Sequence, residues 1–86
     1  MDSVRQWPEW WNWDLEFNPH LMKRMVDRRF NEVDLRTMLA DAYDYADERN
    51  GRFVVLTSRE GRSWEVVVEP DWTDSVLLVI TAYPKE

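Results

Sequence analysis

One imidazole stands among guanidinium groups in this chain. Residues 18–29 read Asn-Pro-His-Leu-Met-Lys-Arg-Met-Val-Asp-Arg-Arg, so the single histidine, His20, is followed by Arg24 and Arg28 at helical spacing. An imidazole at a helix start can take a proton from a ribose hydroxyl, and arginines one and two turns on can steady charge on a phosphate. That pairing is the strongest set of chemistry-bearing residues here. Its structural alternative is a polar helix start facing water, and the helical wheel favours this, placing His20 and Arg24 opposite the apolar arc.

Other chemistries are poorly provided for. The chain has no cysteine and one histidine, so a zinc site of Cys and His ligands cannot be built. Gly51 and Gly61 are its only glycines, which leaves no phosphate-cradling glycine loop. Asp41, Asp44 and Asp47 are spaced by three but lack the ligand pattern of a calcium loop. The expectation is a protein without metal or cofactor. At 86 residues and net charge −6 it reads as one domain, repelled as a whole by nucleic acid and anionic lipid. Residues 20–36 nevertheless carry a local charge of +2. RNA is thus a disfavoured partner by net charge, and no DNA-binding motif is present. No apolar run is long enough to span a membrane, and 1–6 lacks the apolar segment of a signal peptide. A cytoplasmic protein is expected.

The elements that must position these residues are readable. Residues 1–12 form a Trp-rich segment with Trp7, Trp10 and Trp11, and 13–84 form the core. Trp13, Leu15 and Phe17 alternate with acids, as in an edge strand. Asn18-Pro19 starts a first helix over about 19–30, with Leu21, Met22, Met25, Val26 and Phe30 on its apolar arc. Arg29 breaks that arc. Asn31 caps a second helix expected to continue to Asn50-Gly51, with Asp41, Asp44, Asp47 and Glu48 on its outer face. The remainder reads as a three-stranded antiparallel meander, 52–58, 63–69 and 76–83, with Glu60-Gly61 in the first turn. The fold class is α+β: a Trp-rich edge segment, a two-helix hairpin and the meander. Trp64, Val66 and Val68 beside Val76, Leu78, Ile80 and Ala82 should form the face that receives the helices. The other face is apolar enough to need cover from the tryptophans or a second chain.

The run His20-x3-Arg24-Met25-x2-Arg28, the helix start Glu32-Val33-Asp34-Leu35 and the last strand Val79-Ile80-Thr81-Ala82-Tyr83-Pro84 resemble small bacterial domains of the barnase–EndoU–colicin–RelE ribonuclease fold. The resemblance is to a subgroup with a His-x3-Arg-Met helix, and it covers about 13–84. It implies metal-independent RNA cleavage, as in a toxin or an RNA-processing enzyme. By position it implies His20, Arg24, Thr81 and Tyr83 as catalytic residues, with Arg28 and Arg59 as phosphate contacts. The chain departs from that fold's usual basic charge, has no second histidine for a His/His pair, and adds the Trp-rich segment. A different class stands beside it: a non-catalytic domain that binds a protein partner, or dimerises, through Trp7, Trp10 and Trp11 and the acidic Asp41 and Asp44.

Overall fold

The computed structural model describes residues 7–85. The expectation about a signal sequence at 1–6 lies outside them. A 3₁₀ turn at Glu9–Asn12 leads into β1 (Asp14–Phe17), α1 (Pro19–Asp27), α2 (Glu32–Ala40), β2 (Asp44–Asp47), β3 (Phe53–Arg59), β4 (Arg62–Asp71) and β5 (Val76–Pro84). The five strands form one mixed sheet in the order β1-β5-β4-β3-β2. The run β2 to β5 is antiparallel, and β1 lies parallel to β5 at the edge. Both helices lie on one face, α1 against β5 and α2 against β3. The α+β class and the meander stand as expected from sequence.

Local chemistry explains most boundaries. The Asn18 side chain accepts the Leu21 N–H, and Pro19 occupies the first helical position, where its missing N–H is harmless. Asn31 and Asp34 form a reciprocal capping box at the start of α2. The carbonyl of Met38, near the C-terminus of α2, accepts the hydroxyl of buried Thr57 on β3. That bond satisfies an otherwise unpaired helix-end carbonyl and fastens α2 to the sheet.

The second helix is shorter than the sequence implies. It ends at Ala40, with Asp41 as its C-cap, and Asp44 to Asp47 form an edge strand on β3. Asn50-Gly51 is not a helix cap. Both residues have positive φ, 57° and 78°, and Arg52 N–H returns to the Arg49 carbonyl, so they form the two-residue turn that joins β2 to β3. The outer helical face built from Asp41, Asp44, Asp47 and Glu48 therefore does not exist. Asp44 and Asp47 instead place carboxylates on a short edge strand, which discourages pairing with other chains.

A β-bulge corrects the assignment of faces. Val67 pairs with Thr81 but Val68 pairs with Val79, leaving Ile80 as the extra residue. The inserted residue reverses the alternation along β5. Leu77 and Val79 are buried in the core with Ala82, whereas Val76, Leu78 and Ile80 are only half-buried. The apolar arc of α1 is divided as well. Leu21 and Met25 face the sheet, while Val26 is 76% exposed and Met22 is also exposed.

The tryptophans cover the helix side of the sheet, not its back. Trp10, 2% exposed, stacks obliquely on Phe53 and meets the edge of Tyr45, and Trp11 packs against both Trp7 and Trp10. Trp10 is a core residue and cannot anchor a partner. Trp72, by contrast, stands exposed against Trp13. Replacing Trp10 with Ala is expected to lower stability by about 3–5 kcal/mol. Trp72→Ala is expected to stay within about 0.5 kcal/mol of the parent. Urea unfolding followed by circular dichroism measures both.

Candidate functional site

The site forms where three chain segments finish at the same end of the sheet. They are the C-terminus of α1, the β3–β4 hairpin and the end of β5. Arg28, Arg29, Arg59, Glu60, Arg62, Trp64 and Pro84 line a cavity of about 440 Å³ there. Four guanidinium groups against one carboxylate make this a basic corner on an acidic molecule.

Each arginine is placed by a definite local structure. α1 ends with the Phe30 N–H bonded to the Met25 carbonyl at 3.0 Å and the Arg29 N–H to the Val26 carbonyl at 3.2 Å. This is the paired-bond helix termination that requires a left-handed residue, and Arg29 supplies it with φ 59°. Phe30 and Met25, both buried, make the apolar contact that accompanies it. Arg28, half-buried, donates from Nη1 to the Ala82 carbonyl on β5 at 3.0 Å. Arg59 and Arg62 flank Glu60-Gly61, whose φ values of 53° and 78° make the tight turn, so the two arginines are direct cross-strand neighbours. Trp64, two residues into β4, pairs with Pro84.

Arg59 is the most restrained of the four. Its guanidinium lies over the Trp64 ring at 5.7 Å. It also donates to the Arg29 carbonyl at 3.3 Å and lies 3.5 Å from Asp34 and 3.8 Å from Glu60. Among the described residues, the side chains of Arg29 and Arg62 have no hydrogen-bond or ion-pair partner. The corner thus combines two anchored guanidiniums with two available ones. Arginines in this arrangement bind phosphate or carboxylate oxygens in bidentate fashion.

The residues nominated from sequence are not gathered in one place. Arg28 and Arg59 line the basic corner. His20 is exposed at the opposite end of α1, about 12 Å from Arg28 at 1.5 Å per helical residue. Arg24 is exposed on the outer surface of the same helix. Thr81 and Tyr83 alternate with core residue Ala82, and so lie on the sheet face away from the helices. The sheet therefore stands between His20 and Tyr83. Tyr83 donates to Glu65 at 2.7 Å, and Lys85 pairs with the other oxygen of that carboxylate at 3.3 Å. The hydrogen bond to Glu65, followed by burial and the negative charges of Glu65 and Glu48, pushes the Tyr83 phenol up to about 12. Trp7 and Trp11 lie with Tyr45 near the far end of β3. Asp41 and Asp44 belong to different elements, a helix cap and an edge strand.

Sequence reasoning missed Arg29, Arg62 and Trp64 as parts of one site. Two signals for them were present. A two-residue turn at Glu60-Gly61 obliges Arg59 and Arg62 to be neighbours, and Arg29 interrupts an otherwise apolar helical arc. Among the described residues no group of three or more His, Asp or Glu converges as a metal site, and no helix is long and apolar enough to cross a membrane.

Two outcomes follow from this geometry. Replacing Arg29 with Gly relieves the left-handed strain and should raise stability by about 0.5–1 kcal/mol, the left-handed penalty less glycine's greater unfolded freedom. Thermal unfolding reads that gain. For Tyr83 the folded-state phenol lies above its unfolded value near 10. The stability it contributes is complete below pH 10 and is lost as pH rises toward 12. Glu65→Gln should bring the last tyrosine titration, followed by ultraviolet absorbance, back toward 10.

A family model described as a domain of unknown function, DUF4258, matches residues 17–84. All four arginines of the corner fall inside that span, and Trp7 to Trp13 fall outside it. No curated protein and no solved structure matches the chain.

Proposed function

The chain belongs to the DUF4258 family, and for this member we propose an RNA-directed function: a ribonuclease-like domain, of the toxin-like or RNA-processing kind, that holds an RNA phosphate group without a metal. One observation carries the reading. Arg28, Arg29, Arg59 and Arg62 converge in one cavity on a chain whose net charge is −6. Clustering four like charges is unfavourable unless an anion shares the space, and on an acidic molecule the cluster is a local attraction for phosphate. The resemblance to the barnase–EndoU–colicin–RelE fold supports RNA as the phosphate carrier, and such a role belongs in the cytoplasm.

This reading moves the working site from His20 to the arginine corner. Arg28 and Arg59 keep the phosphate-binding role that their positions imply, and Arg29 and Arg62 join them. A second reading, a protein-binding or self-associating domain, is favoured by Trp72, which stands 62% exposed with its ring edge-on to Trp13 at 5.0 Å. An exposed tryptophan of this kind suits the centre of a protein interface.

The test is binding of a labelled single-stranded RNA, and its cleavage in EDTA, by the parent chain and by Arg62→Ala and His20→Ala variants. Arg62 is exposed and unpartnered, so its truncation should leave stability within about 0.5 kcal/mol of the parent. Loss of one charge-assisted contact should weaken binding about tenfold or more. Any cleavage should fall with Arg62→Ala and persist with His20→Ala. A parent chain that shows no salt-dependent affinity for RNA would refute the proposal, and cleavage lost only with His20→Ala would return the site to the helix start.

A further inference from the structure

The arginine corner is built to hold a phosphate and nothing of the base. Trp64 lies at its floor, but the indole is 5% exposed and cannot offer a stacking surface. Arg59 covers it from one side at 5.7 Å, and Phe30 meets it edge-on at 5.5 Å and 77°. The ring orients Arg59; it is not a platform for a nucleobase of the ligand.

Charge decides which phosphate fits. Arg59 is partly neutralised by Asp34 and Glu60. Arg28 has a carbonyl for its partner, and Arg29 and Arg62 have none among the described residues. Three guanidiniums therefore lie in one cavity without a carboxylate ion pair. An internal phosphodiester brings a single negative charge and two free oxygens. A terminal phosphomonoester brings about −1.5 to −2 at neutral pH and three acceptor oxygens. The second matches the corner's surplus charge and its spare donors, since each guanidinium has five N–H groups.

The surroundings favour a chain end over a chain middle. Beyond Arg59 the neighbouring groove is lined by Asp34, Asp41 and Glu60, together with Thr37, Met38 and Ser58. A phosphate backbone that left the corner on the Arg59 side would pass those carboxylates. An end presented to the corner avoids them, and the acidic remainder of the molecule pushes the rest of the strand outward into solvent.

We infer that the Arg28, Arg29, Arg59 and Arg62 corner is a seat for the phosphomonoester terminus of an RNA strand, read by charge and not by base. The inference rests on the RNA-directed reading given above and adds the chemical form of the group that is bound. The backbone at the seat agrees with it. Arg29 and Glu60 are both held in the left-handed region, at φ 59° and 53°, where residues with side chains are disfavoured. Strain kept at Arg29 agrees with a side chain retained for binding in place of the glycine or asparagine that such a backbone prefers, whereas Glu60 lies beside Arg59 as a carboxylate and takes no part in holding the phosphate.

The experiment uses four versions of one short unstructured RNA: 5′-phosphorylated, 3′-phosphorylated, phosphorylated at both ends, and hydroxyl at both ends. Affinity is measured by fluorescence anisotropy with an internal label, at pH 5.5 and pH 7.5 and fixed ionic strength. At least one singly phosphorylated strand should bind five- to tenfold tighter than the hydroxyl strand at pH 7.5. The advantage should shrink at pH 5.5, because the terminal phosphate is protonated there while Arg28, Arg29, Arg59 and Arg62 stay charged. The carboxylates that face the seat are Glu60 and Asp34, both beside Arg59. Inorganic phosphate should compete with the advantage. Arg62→Ala should abolish it, and Arg29→Gly should weaken it while raising thermal stability. Equal affinity for all four strands, weakened uniformly by Arg62→Ala, would overturn the terminal-phosphate seat and leave the RNA-directed reading intact. Absence of binding to every strand would remove both.

Discussion

The left-handed turn at Arg29 determines where everything at the working end of the molecule lies. With φ 59° it lets α1 close with two reversed hydrogen bonds, and it sends Phe30 back into the core at once. Phe30 then meets Trp64 edge-on, which fixes the indole under Arg59. The same turn directs the Arg29 carbonyl toward Arg59, which donates to it. It also leaves Arg28, one residue earlier, able to reach the Ala82 carbonyl on β5. One backbone conformation thereby ties a helix end, a hairpin and a strand end together. A helix continuing beyond this point would carry Phe30 and the following Asn31 cap away from the positions they occupy, and α2 could not start where it does.

Arg59 links this corner to the second helix. Asp34 closes the capping box of α2 by accepting the Asn31 N–H, and the same carboxylate oxygen lies 3.5 Å from Arg59. Most of the carboxylates here stand apart from the corner. Asp44 and Asp47 lie on the far edge strand, and Glu65 and Glu69 on the back of the sheet are paired with Lys85 and Arg52. The acid-rich sequence thus folds into a molecule whose surplus of positive charge is local. Net charge alone describes it poorly, because what a phosphate meets depends on groups within about 10 Å at ordinary ionic strength.

The sequence disclosed features held by neighbours along the chain and hid those decided by distant partners. Asn18-Pro19, the Asn31 capping box and the Glu60-Gly61 turn each act over a few residues, and each was legible. The α+β class followed from them. Residues 41–48 were misread because Ala42, Tyr43, Tyr45 and Ala46 also fit a helical arc, and what makes them a strand is pairing with β3. Asn50-Gly51 fits a hairpin turn as well as a helix cap, and only that pairing chooses between the two. The bulge at Ile80 has no local signature, so the faces of β5 could not be assigned from alternation alone. Arg28 and Arg59 were nominated through a resemblance. Their union with Arg29, Arg62 and Trp64 depends on three segments meeting, which no local spacing encodes.

The two ends of β3 complete the division of labour. Phe53 and Arg59 bound the strand and lie about 20 Å apart at 3.3–3.4 Å per residue. At the Phe53 end, Trp10 packs on Phe53 and joins the core shared with both helices. That tryptophan precedes the span shared with the family, which begins at Phe17. At the Arg59 end buried Phe30 and Trp64 close the core, and Arg59 lies over the Trp64 ring. A domain this small buries only about 60% of its unfolded surface, so it has little core to spare for a cavity. The guanidiniums are tolerated at that end because their restraints are local: Arg28 is held by the Ala82 carbonyl, and Arg59 by the Arg29 carbonyl, Asp34, Glu60 and the Trp64 ring.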